Sequence, residues 1–76
     1  MKNSLENRIY VFKTSVKYKK QIHAISKQFE AIENIKKWNF DLDDCDKILR
    51  IESATNITAI ACHVLHSLNI NCVELE

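Results

Sequence analysis

Residues 37–52 read Lys37-Trp38-Asn39-Phe40-Asp41-Leu42, then Asp43-Asp44-Cys45-Asp46-Lys47, then Ile48-Leu49-Arg50-Ile51-Glu52. The first segment alternates with a strict period of two, which sets Trp38, Phe40 and Leu42 on one face of a strand. Residues 43–46 have turn composition, because Asp side chains accept from nearby backbone amides and tolerate left-handed geometry. The third segment returns as a strand that buries Leu49 and Ile51. The whole stretch is a hairpin with one apolar face, and such a face needs a cover.

The cover is written on both sides of the hairpin. From Tyr18 to Ala31, Ile22, Ile25 and Phe29 recur at helical spacing among lysine, glutamine and serine. Ser15 is the expected N-cap, and Asn34 stands where a left-handed turn would end this helix. Downstream, Thr55 or Asn56 caps a second helix whose stripe reads Ile57, Ile60, Val64 and Leu68. Each helix is flanked by a further strand. Ile9-Tyr10-Val11-Phe12 is β-branched and aromatic, and Asn69-Ile70-Asn71 turns the chain into a last short strand, Cys72 to Leu75. Residues 1–7 are polar and unpatterned and are expected to be a flexible tail, leaving 8–76 as a single domain.

Four strands and two helices in the order βαββαβ are satisfied by an α+β, ferredoxin-like two-layer sandwich. Its antiparallel sheet has the order 4-1-3-2, with both helices on one face. The loop after the first strand, the 43–46 tip and the segment His66 to Asn71 then share one end of the domain, the natural place for a site.

Composition bounds the function. A chain of 76 residues buries only about 60% of its extended surface, so its stability is marginal. With 46% hydrophobic and 28% charged residues it is globular rather than disordered. A net charge of +1 argues for neither a nucleic-acid nor a membrane partner, and no apolar run approaches the length of a membrane span. Cys45, Cys62 and Cys72 are odd in number, widely spaced and lack a CxxC arrangement, and the first residues contain no apolar signal segment. A reduced, cytoplasmic protein is expected.

The stretch Ile35-Lys36-Lys37-Trp38-Asn39-Phe40-Asp41-Leu42 resembles the G-V-x-x-V-x-V-x-L run that opens the second strand of the heavy-metal-associated, copper-chaperone-like domain, with Asn34 in place of the glycine. The resemblance covers residues 8–75. It implies that Ile25 and Phe29 occupy core positions of the first helix and that Val16 takes the place of a buried methionine. It also implies that Tyr18 and Gln21 stand where the family has its two metal-binding cysteines, and neither supplies a thiolate. The register through the first strand then requires a one-residue shift or bulge.

Four chemistries follow as candidates. A soft metal wants converging thiolates or imidazoles, and the loop from Lys13 to Gln21 offers none, so no cofactor is expected. A displaced site would draw on Cys62, His63 and His66 of the second helix and on Cys72, with His66 and Cys72 as the foremost ligands. Buried cysteine as a small hydrophobe is the ordinary alternative, and Cys45 on its acidic hairpin reads as a turn residue.

Lys13, Lys17, Lys19 and Lys20 crowd one loop and a helix start, where cations oppose the helix dipole. With Tyr18 they form the surface that the resemblance implies for an acidic partner, unless they are simply solvated. The fourth candidate is the helix-free face of the sheet. It exposes Tyr10, Phe12 and Ile48, or else Ile9 and Val11, and suits a protein partner or a second copy. Such a face also resembles that of an RNA-recognition motif, but Lys47 to Glu52 lacks the aromatic motif that stacks bases. No nucleophile stands beside a base and its orienter, so the chain is not read as an enzyme. The reading is a non-catalytic interaction module on a metallochaperone-like fold that lacks the cysteine site. A metal carrier with displaced ligands is the alternative.

Overall fold

The computed structural model describes residues 7–43 and 45–75. In chain order they form β1 (Arg8–Thr14), α1 (Lys19–Glu30), β2 (Ile35–Asp41), β3 (Ile48–Ser53), α2 (Thr58–Ser67) and β4 (Cys72–Leu75). The sheet runs β2-β3-β1-β4 with every neighbouring pair antiparallel, which is the expected 4-1-3-2 order seen from its other edge. The tail expected over residues 1–7 lies outside the described residues except for Asn7, whose side-chain amide donates to Glu52 at 3.0 Å.

Inward-facing side chains follow from register. Tyr10 pairs with Ile51 and Phe12 with Leu49, and across β3 the same two residues meet Trp38 and Phe40. These rows pack with Ile25 and Phe29 of α1 and with Ala61, Val64 and Leu65 of α2 into one core. Trp38 stands edge-on to Phe29 at 5.3 Å and to Phe40 at 6.0 Å, so rings fill the gap between sheet and α1. Val16 is fully buried. Two polar side chains are also buried in the strands, and both are satisfied. Thr14 donates from Oγ1 to the Lys47 carbonyl at 2.6 Å, and Ser53 donates from Oγ to the Asn34 carbonyl at 2.6 Å.

Strand β1 turns the opposite way from the expectation that exposed Tyr10 and Phe12. Phe12 is fully buried and Tyr10 is half-buried against the core, while Ile9 and Val11 point to the bare side. The reason is Lys13, which shares its face with Ile9 and Val11 and would lie under the helices in the other register. Ile48 is on the bare face, as expected, in the row of Lys13 and Asp41, yet it is only 6% exposed.

Strand β1 pairs with β3 and β4 in continuous register, without the shift or bulge expected there, and the irregularity of the sheet lies in β2. Ile35 pairs with Ser53 and Lys37 with the adjacent Glu52, so Lys36 is the extra residue of a bulge. That insertion lets Ile35 and Trp38 both face the core. Along α2 the buried stripe is Ile57, Ala61, Val64 and Leu65 with Leu68 partly buried, which keeps three of the expected positions and replaces the exposed Ile60 by Ala61 and Leu65.

Helix ends differ as well. Ser15 does not cap α1; its Oγ accepts from Asn71 N–H at 2.9 Å and its own N–H donates to the Asn71 carbonyl at 3.2 Å. Asn34 is not the left-handed residue, because α1 closes through tight turns, Ile32 N–H to Phe29 and Ile35 N–H to Ile32, without reversing the backbone. Among the described residues, positive φ occurs at Lys47 (48°) and Asn69 (63°). Asn69 ends α2 in a Schellman motif, with Asn69 N–H on His66 and Ile70 N–H on Leu65. The N-cap of α2 is Ile57 rather than Thr55 or Asn56, though Asn56 just ahead of it accepts at Oδ1 from Thr58 N–H at 2.9 Å.

Candidate functional site

Three loops meet at one end of the domain, as the topology requires. Thr14 N–H donates to the Asp46 carbonyl at 3.1 Å and Thr14 Oγ1 to Lys47, which ties the β1–α1 junction to the β2–β3 turn. The paired bonds between Ser15 and Asn71 tie the same junction to the start of β4. Lys13 Nζ reaches Asp46 Oδ1 at 3.6 Å, so this lysine of the basic cluster is engaged with the turn.

Lys17, Tyr18, Lys19 and Lys20 are exposed on the first of these loops, with the Lys20 ammonium 5.8 Å from the Tyr18 ring centroid. Gln21 organises this segment. Its Oε1 accepts from the N–H groups of Lys17 at 2.7 Å and Tyr18 at 2.8 Å, satisfying donors ahead of α1 from the third helical position. A side-chain amide thus closes the loop on which the resemblance would place a metal.

The cysteines separate into one exposed thiol and one pair. Cys45 sits exposed on the turn, 4.0 Å from Asp46 Oδ1. Cys62, half-buried on α2, has its Sγ 3.6 Å from both the Sγ and the carbonyl oxygen of Cys72, the buried first residue of β4. Burial pushes the Cys72 thiol well above its ordinary range, and its hydrogen bond to Cys62 and the charge there push the same way. His66, expected beside Cys72, is exposed, as is His63. Among the described residues no group of three His, Cys, Asp or Glu could hold a metal ion. The sequence places Cys62 and Cys72 among displaced ligands without pairing the two with each other. The signal for that pairing was a helical cysteine on the core side followed by a strand-opening cysteine across a short turn.

On the bare face, register builds three rows: Lys37, Glu52, Ile9; Asn39, Arg50, Val11, Leu75; and Asp41, Ile48, Lys13, Val73. Ile9 is 57% exposed, Val73 59% and Leu75 38%, so aliphatic groups form a strip along β1 and β4. A groove of ≈ 510 Å³ opens beside the β2 bulge, lined by Ile9, Trp38, Arg50 and Glu52 among others. No helix among the described residues is long and apolar enough to cross a membrane.

A scan against protein-family models finds no match, and a comparison with curated proteins finds none either. Among solved structures, the apo form of the HMA domain of a copper chaperone for superoxide dismutase is similar. Its TM-score is 0.73 at 10% sequence identity, covering 100% of this chain and 74% of that one. At that identity the likeness establishes a fold of the heavy-metal-associated type.

Proposed function

We propose that this chain is a non-catalytic binding module on a heavy-metal-associated-like fold without that family's cysteine site, and that it binds a second copy of itself through the bare face of its sheet. The observation that carries the reading is the strip of Ile9, Val11, Val73 and Leu75, where Val11 pairs with Leu75 and Lys13 with Val73. Exposed aliphatic groups contiguous across two strands mark an association surface. The surround argues for a like partner. Lys13, Lys37 and Arg50 alternate with Asp41 and Glu52 on this face, and a patch of mixed sign is complementary to itself under two-fold symmetry.

The absence of a family-type metal site is supported by Gln21, whose amide already satisfies the backbone donors of the loop. The three cysteines, odd in number and widely spaced, support a reducing, cytoplasmic setting.

Sedimentation of wild type and Val73→Lys over a concentration series tests the reading. Wild type is expected to shift to a dimer as concentration rises, and the variant to remain a folded monomer. Wild type that stays monomeric at millimolar concentration refutes self-association. An anaerobic Cu(I) titration runs beside it, and a stoichiometric complex that survives a competing chelator refutes the absence of a metal site.

A further inference from the structure

Among the described residues, the thiols of Cys62 and Cys72 form a close pair that the bare-face reading leaves unused. Their sulfurs are 3.6 Å apart, one on α2 and one at the start of β4, with the turn at Asn69 folding the second element back onto the first. A disulfide bond is about 2.05 Å long, so side-chain rotation must bring the sulfurs about 1.5 Å closer. The surroundings favour a neutral product. Cys72 is 4% exposed in the company of the hydrophobic core, where a pair of thiolates on a metal would leave charge without solvent and a disulfide leaves none.

We propose that Cys62 and Cys72 form a reversible disulfide that bonds α2 to β4, with Cys62 the attacking thiol and Cys72 the resolving thiol. The oxidant is a low-molecular-weight disulfide. The Cys62 thiolate attacks one of its sulfurs, the external S–S bond breaks, and the first released thiolate takes up the proton that Cys62 lost. The Cys72 sulfur then attacks the Cys62 sulfur of the mixed disulfide, and its proton leaves with the second external thiol. Two protein thiols are oxidised, and one external disulfide is reduced to two thiols.

The roles follow from access: Cys62 is half-exposed, and Cys72 is reached only from inside. The upward push on the Cys72 thiol agrees, since a sulfur that keeps its proton is the poorer first nucleophile. The bond would anchor the opening residue of a strand only four residues long, Cys72–Leu75, which is otherwise held in the sheet by β1 alone.

The full chain is exposed to oxidised glutathione in the presence of a metal chelator, quenched with acid, alkylated and mapped by mass spectrometry. Wild type should show Cys62 joined to Cys72, with the exposed Cys45 outside the bridge and carrying at most one glutathione. Cys62→Ser should lose the Cys72 thiol about tenfold more slowly than wild type. Cys72→Ser should stop with one glutathione on Cys62. If Cys72→Ser fails to fold by circular dichroism, wild type and the half-exposed Cys62→Ser still decide. A bridge that includes Cys45, a lasting glutathione adduct on wild-type Cys62, or a Cys72 thiol lost equally fast in Cys62→Ser overturns the proposal. None of these readouts depends on self-association.

Discussion

On one side of β1, Tyr10 and Phe12 meet Leu49, Ile51 and the two helices. On the other, Ile9 and Val11 meet Arg50, Glu52 and Leu75, with no described helix above them. Both sides are apolar, and they differ in shape. The covered side carries the rings, Phe12, Phe29, Trp38 and Phe40, set among buried aliphatic residues such as Ile25, Leu49, Ile51 and Leu65. The bare side is aliphatic and broken by charges, a surface that can be wet in the monomer and dry in a complex. The contrast separates apolar residues that build the fold from those available for use.

The widest gap between the two sides should come from truncation. Phe12→Ala is expected to destabilise the monomer by about 4 kcal/mol, most of the stability of so small a domain, whereas Ile9→Ala should cost under about 1 kcal/mol. Urea unfolding of both variants at low concentration measures the difference, and equal losses would erase the distinction between the sides. Next in size is Trp38→Ala, at about 3 kcal/mol, because the indole is only partly buried yet packs edge-on against Phe29. Native tryptophan fluorescence should be blue-shifted and should move red on unfolding; an emission maximum unchanged by urea would contradict this packing.

A smaller effect comes from the thiol behind the covered side. The native pKa of Cys72 is raised, so the folded state keeps a proton that the unfolded chain releases above about pH 8.5. The stabilisation is complete below that pH and is lost as pH rises, at no more than about 1.4 kcal/mol per pH unit. Denaturation across pH 7.5–10.5 should show the decline in wild type and its flattening in Cys72→Ala. The smallest effect on monomer stability is predicted for Leu75→Lys on the bare side, within about 0.5 kcal/mol. The same change should weaken self-association at least about tenfold, the cost of placing a charge in an apolar contact. A dimer unaffected by it would move the interface elsewhere.

The hairpin of residues 37–52, the two helices and the strand order were legible because period two and the helical period are each written over enough residues to be distinct. The facing of β1 was not, since Ile9, Tyr10, Val11 and Phe12 offer no polar position to break the tie. The deciding residue was Lys13, two positions beyond Val11, and its weight shows only once β1 is known to extend to Thr14. One position of the α2 stripe was misplaced for a similar reason: Ile60 and Ala61 are adjacent, and size favoured the isoleucine while geometry buried the alanine. In the candidate site, the convergence of the three loops followed from topology. The Gln21 bonds and the contact between Cys62 and Cys72 did not, because each depends on side-chain rotamers that no spacing rule specifies.

The extra residue at Lys36 has a bearing on how large any assembly can grow. Strand β2 is one rim of the sheet, and the bulge interrupts its ladder while Lys36 and Lys37 set cations along it. A rim so kinked and charged is a poor template for an added strand. Contacts confined to the bare face under two-fold symmetry consume that face in both partners. With strand addition at the β2 rim disfavoured, growth of the sheet by an added strand would have to use the opposite rim, β4.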